Sequence, residues 1–171
     1  MLRGGAAALG CLLGAAVIVA AVPMPHAAQP ATVSYAADQA KLARLAPYPA
    51  VAPAGLPGSW RPVASGLTVG GANGAGTVTW QLGFMTPDGL LASLEESNAA
   101  AAGFIRRMTN DGTVRPAVVL NGQTWSRSDT PSRGQRSLSF TGAAGLVVVV
   151  TGNATWAQLR QLAASLRPVA G

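Results

Sequence analysis

Five consecutive apolar residues, Leu146-Val147-Val148-Val149-Val150, constrain this chain more than any other feature. Four of them are β-branched, which favours a strand, and a strand that is apolar at every position has no side to turn to water. The run therefore reads as the central strand of a sheet covered on both faces. Gln135 to Thr141 joins it across Gly142 to Gly145 as one hairpin. Ala117 to Leu120 and Gln123 to Ser128 flank Asn121-Gly122, a dipeptide that accepts the positive φ of a tight hairpin turn. Further upstream Thr77 to Met85 alternates strictly, with Val78, Trp80, Leu82 and Phe84 on one face and Thr79, Gln81 and Gly83 on the other. Arg61 to Val69 precedes it across a glycine-rich loop, Gly70 to Gly76. Leu90 to Glu96 follows it across the turn Pro87-Asp88-Gly89.

Helical spacing falls between these strands. Ser34 is a candidate cap for a helix from Tyr35 to Ala46 that turns Tyr35, Leu42 and Leu45 inward and stops at Pro47. Pro47 to Gly58 holds too many prolines for regular structure and is expected to lie extended over the domain. Asn98 is a candidate cap for Ala99 to Thr109, with Ala101, Phe104, Ile105 and Met108 on one side. Thr155 and Gln158 form a capping box ahead of Trp156, Leu159, Leu162, Ala163 and Leu166, and Pro168 lies beyond. Runs of adjacent antiparallel strands interrupted by helices mean α+β. The expectation is a twisted, largely antiparallel sheet of six or seven strands packed against two or three helices.

Ahead of this domain, Gly4 to Val22 runs 19 residues without a charge, behind Arg3. At about 1.5 Å per residue such a helix nearly spans the hydrocarbon layer of a bilayer. Arg3 favours the cytoplasmic side, so residues 1–3 are expected inside and residues 4–22 across the membrane. A proline-rich spacer, residues 23–34, then leads to an extracytoplasmic domain, residues 35–168. A cleaved signal peptide ending near Val19-Ala20-Ala21 and a lipoprotein signal at Ala8-Leu9-Gly10-Cys11 are the alternatives. All three put the domain outside.

Several short runs together resemble one known family. They are Leu56-Pro57-x-x-Trp60-Arg61-Pro62, Trp80-Gln81-Leu82-Gly83-Phe84-x-Thr86-Pro87-x-Gly89, Asn121-Gly122-x-x-Trp125, Val149-Val150-Thr151-Gly152-x-Ala154 and Leu159-x-x-Leu162-Ala163-x-Ser165-Leu166. With the leading apolar helix, they resemble the actinobacterial family catalogued as domain of unknown function 4245. The resemblance implies a membrane-anchored extracytoplasmic protein and no particular activity. It brings no functional residues with it.

The chemistry the chain lacks narrows its function. Cys11 lies in the apolar segment and His26 in the spacer, so the domain has neither residue type. Ser-His-Asp and Cys-His devices have no base, and zinc has no imidazole or thiolate ligand. No HExxH, CxxC, GxSxG or P-loop pattern occurs. Glu95 and Glu96, the domain's adjacent acids, point to opposite sides of a strand and cannot work as one dyad. They read as a solvated strand end. No enzyme activity, cofactor or metal is expected.

The chain's formal charge is +6, of which Arg3 precedes the apolar run. Arg127, Arg133 and Arg136, with Arg106, Arg107 and Arg115, are candidates for a basic face toward anionic lipid or a wall polymer. Trp60 and Trp125 stand near element ends and are candidates for stacking on a ligand, whereas Trp80 and Trp156 read as core. The expected binding residues are thus Trp60, Trp125, Arg127, Arg133 and Arg136. The expected partners are the membrane and an envelope protein, lipid or wall polymer, not nucleic acid. The alternative is a carrier holding an apolar ligand between sheet and helices.

Overall fold

The computed structural model describes residues 30–70 and 76–169. Its elements run α1 (Ala36–Leu45), β1 (Val51–Pro53), β2 (Arg61–Gly70), β3 (Thr77–Met85), β4 (Leu91–Ser97), α2 (Ala101–Thr109), β5 (Thr113–Leu120), β6 (Gln123–Thr130), β7 (Gln135–Thr141), β8 (Val147–Gly152), α3 (Trp156–Ser165) and β9 (Leu166–Pro168). Short 3-10 turns at Pro131–Arg133 and Ala143–Gly145 link β6 to β7 and β7 to β8. The fold is α+β. Seven strands form one antiparallel sheet in the order β2-β3-β4-β8-β7-β6-β5. It consists of two meanders, β2-β3-β4 and β5-β6-β7-β8, joined where β4 pairs with β8.

The valine run sits in the middle, and its alternation decides what each face meets. Val148 and Val150 join a core with Trp80, Leu82, Leu94 and Leu138, over which Leu42 of α1 and Leu159 and Leu162 of α3 pack. Val147 and Val149 point the other way, against Phe104 of α2. One strand thus carries two cores, as its uniform apolarity requires. The Thr155–Gln158 capping box opens α3: the Thr155 hydroxyl accepts from the Gln158 amide at 3.2 Å and Gln158 Oε1 accepts from the Thr155 amide at 3.0 Å.

Several local expectations change. Tyr35, not Ser34, occupies the cap position of α1, and no side chain caps that helix. Leu45 is half exposed rather than inward, because α1 contributes Leu42 to the core and the chain then turns Tyr48 and Ala50 in behind it. Asn98 does not cap α2, which starts at Ala101. Its Oδ1 instead accepts from Val78 N at 2.8 Å, tying the end of β4 to the start of β3. The proline-rich stretch contains strand β1, which pairs with β9 as a separate two-stranded ribbon, Ala52 opposite Arg167. Prolines fall at the ends of these short edge strands, where a missing N–H costs little.

Among the described residues no helix is long and apolar enough to cross a membrane. The predicted anchor at 4–22, the spacer to residue 29 and residues 71–75 of the glycine loop lie outside the described residues.

Candidate functional site

The sheet's two faces are unequally covered. α1 and α3 lie on the face that carries Trp80. On the opposite face α2 packs over Val147 and Val149. It leaves the outer part of that face, Ala64, Gly66 and Thr68 of β2 and Gln81 of β3, exposed to solvent. An open cleft of about 470 Å³ lies on this side. Val63, Ala64, Gly83 and Leu91 form its apolar part. Ser93, Gln135, Thr151, Asn153 and Arg133 supply polar groups.

The cleft's polar side is tightly wired. Gln135 Nε2 donates to Thr151 Oγ1 at 2.7 Å and to the Met108 carbonyl at 2.6 Å, which ties β7 to the last turn of α2. Thr151 Oγ1 in turn donates to the Arg136 carbonyl at 3.1 Å, so it receives a proton from Ser137 Oγ, 2.7 Å away. Asn153 Oδ1 accepts from Leu91 N at 2.7 Å. Between Thr151 and Asn153, Gly152 has φ +148°, and a Cβ there would lie 2.1 Å from the Leu91 carbonyl oxygen. Glycine is what lets β8 approach β4 at this point.

The two adjacent acids are buried, not solvated. Glu95 is 7% exposed and Glu96 fully enclosed, because β4 is an inner strand that lies between β3 and β8. They do point to opposite sides. Glu95 lies on the cleft's face, two residues along from Ser93, opposite Gln81 and Val149. Burial pushes its carboxyl above the ordinary range, opposed by the side chains of Gln81 and Ser93, and its Oε2 has no hydrogen-bond partner. Glu96 enters the helix-side core, where Oε2 accepts from Val51 N at 3.1 Å and Oε1 has no partner. Burial pushes it up to about 8, against the lowering effect of the Val51 amide. Nothing in the sequence signalled this burial, because it follows from the pairing of β4 with the distant, all-apolar β8.

A family model described as "Protein of unknown function (DUF4245)" matches residues 3–166. The chain belongs to that family. No curated protein and no solved structure matches it.

In this DUF4245 chain the five expected binding residues do not converge. Trp60 is 5% exposed and meets Phe84 edge-on at 6.1 Å. Trp125 is 3% exposed and meets Phe140 edge-on at 4.6 Å. Both tryptophans are core residues on the helix side, so neither offers a ring to an external ligand. Arg127 lies with its guanidinium carbon 4.2 Å from the Trp156 ring centroid and its Nε buried without a partner. Arg136 shares the sheet face of Arg127, and its Nη1 donates to the Ala154 carbonyl at 3.4 Å, closing the turn between β8 and α3. Arg133 alone of the five reaches the cleft, from the 3-10 turn after β6.

Of the remaining arginines, Arg115 sits opposite Arg127 on the same sheet face, while Arg106 and Arg107 lie on α2 across the sheet. Arg115 makes a two-pronged pair with Asp129 at 2.8 and 3.1 Å, and Arg106 lies 3.8 Å from Asp111. A single basic face is therefore not formed. The residues that sequence reasoning passed over are Ser93, Gln135, Thr151, Gly152 and Asn153. Of these, Thr151 and Gly152 belong to one of the runs that carry the family resemblance, which assigned them no chemistry.

Proposed function

We propose that this DUF4245 chain is a membrane-tethered, extracytoplasmic and non-catalytic binding module of the cell envelope. Its ligand face is the open half of the sheet beside α2. The observation that carries the reading is the cleft of about 470 Å³, within the size range of small-ligand sites, where apolar walls meet a short set of fixed polar groups. Ser93 and the side-chain amide of Asn153 offer hydrogen bonds, Gln135 and Thr151 fix the wall behind them, and Arg133 offers a cation at the rim. These suit an envelope component with an anionic group, such as a lipid headgroup or a segment of wall polymer.

Tethering rests on the uncharged run Gly4–Val22 behind Arg3. An exported domain without cysteine leaves no thiol to oxidise in that compartment. The carrier reading calls for free space between sheet and helices. Against it, Leu42, Trp80, Leu82, Leu94, Leu159 and Leu162 fill that layer, each fully buried.

Two measurements test this. Protease added to intact cells stripped of their wall should digest the domain; protection would put it inside. Native mass spectrometry of the full chain extracted from membranes should show no stoichiometric apolar molecule. Retention of one would favour the carrier.

A further inference from the structure

The two edges of the sheet are built differently. β5 is broken in its middle: Arg115 pairs with Arg127 and Val118 with Trp125, so two residues bulge opposite one, and Pro116 has no N–H to offer a neighbour. The Arg115–Asp129 ion pair adds charge at the same place. Bulge, proline and charge are the devices by which proteins blunt a strand edge.

β2 has none of these over most of its length. From Ala64 to Gly70 its seven residues pair with Gly83 to Thr77 without a break. Its bulge lies before that stretch, between Pro62 and Ala64. Val33 N donates to the Pro62 carbonyl at 2.9 Å, and beyond that point no strand pairs with the outer side of β2 among the described residues. No charged residue occurs anywhere from Pro62 to Pro87, although the chain is strongly basic overall. Gly66, Thr68 and Val69 are exposed, Val69 by 56%.

We propose that the outer edge of β2, Ala64–Gly70, pairs antiparallel with the same strand of a second copy of this chain. Charge permits a copy of itself at this edge: two net-positive domains repel least where they meet along an uncharged run, Pro62 to Pro87, and the charge set beside it is the Asp38 carboxylate of α1, which accepts from Ser65 Oγ at 2.6 Å. Symmetry favours it. A two-fold axis perpendicular to the sheet, near Leu67, sets Gly66 opposite Thr68 of the partner and keeps the Trp80 faces of both copies on one side. Tyr35 packs on Trp80 and Phe84, so each chain enters the fold on that same face, with 34 residues before Tyr35. Both leading segments then reach one membrane, and to this extent the inference rests on the proposed anchor. Main-chain pairing along an exposed edge supplies the affinity, and confinement of both copies to one membrane supplies the concentration.

The test uses the full chain in cells with Cys11→Ala, which removes the native thiol, and one new cysteine. Thr68→Cys in paired copies lies within reach of a bismaleimide spanning about 8 Å, the distance given by a two-residue offset and one strand spacing. It should yield a covalent dimer, and Val119→Cys on the β5 edge should not. Adding Gly66→Lys, at an open position where a side chain meets nothing within 4 Å, should cut the dimer yield by roughly fivefold or more and leave the melting temperature unchanged. No dimer at residue 68, equal dimer at residues 68 and 119, or an adduct at residue 68 only to a different protein would each overturn the pairing. A membrane-impermeant maleimide on the same Thr68→Cys cells reports placement separately. Labelling without dimer sinks the pairing alone, and absence of labelling sinks the anchor.

Discussion

The carboxyl of Glu96 accepts a hydrogen bond from the backbone N–H of Val51 at 3.1 Å, across 45 residues of sequence. The contact ties the β1–β9 ribbon to the main sheet inside the core. Tyr48 lies close by, donates to the Val78 carbonyl at 3.3 Å, and is held protonated well above its ordinary range by burial and then, at alkaline pH where Glu96 ionises, by the charge of Glu96. A buried carboxyl of this kind is held neutral, so it serves as an acceptor without bringing a charge into the core.

Stability should therefore fall as pH rises. The Glu96 value is raised by folding, from 4.5 to about 8, so the folded state holds a proton that the unfolded chain releases. The associated stability is complete below 4.5 and is lost progressively up to about pH 8, a change on the order of a few kcal/mol. Glu95, shifted in the same direction, adds to it. Urea unfolding at pH 5 and pH 9 should show the loss, and Glu96→Gln, which keeps an acceptor for Val51, should remove most of it. Equal wild-type stability at both pH values would show that Glu96 is not held neutral.

Gly152 and Gly89 separate close approach from backbone freedom. Both have positive φ, but a Cβ at Gly89 meets nothing within 4 Å, whereas at Gly152 it would collide with the Leu91 carbonyl. Gly89→Ala should cost about 1 kcal/mol. Gly152→Ala should cost roughly 4 kcal/mol or more, since β4 and β8 must separate. Thermal unfolding of the pair checks this, and similar melting temperatures would refute it.

Trp125 and Arg127 were expected at a ligand surface and act in packing. Trp125→Ala should lower stability by about 3–5 kcal/mol, the usual cost of emptying an aromatic core position. Arg127→Ala should cost about 1–2 kcal/mol through its lost contact with Trp156. Arg133→Ala, on the exposed turn, should leave the unfolding midpoint within about 0.5 kcal/mol of wild type. Denaturant titrations of the three variants give the ranking directly. A large loss at Arg133, or none at Trp125, would contradict it.

Much of the fold was legible because side-chain periodicity reports which face a strand buries. Val78, Trp80, Leu82 and Phe84 are all buried as their alternation required, and the Asn121-Gly122 turn and the Thr155 capping box are where the residue types put them. What stayed hidden depends on contacts between distant segments. β1 exists because β9 and Glu96 hold it, and nothing local in its proline-rich sequence announces a strand. The cleft was hidden for the same reason. Ser93, Gln135 and Asn153 are ordinary polar residues until the joining of β4 to β8 brings them together. The arginines misled because sequence proximity does not show what each one packs on: Arg127 lies over Trp156, Arg136 closes the turn between β8 and α3, and Arg133, on a turn, reaches the cleft.

The most direct test of the ligand face is photocrosslinking in growing cells. A photoreactive residue replacing Ala64, at the exposed rim of the cleft, is compared with one replacing Val114 on the far edge. A discrete adduct to an envelope component at residue 64, absent at residue 114 and lost when Arg133→Ala is added, is the expected result. Failure to capture anything at residue 64, or the same adduct from both positions, would contradict the account.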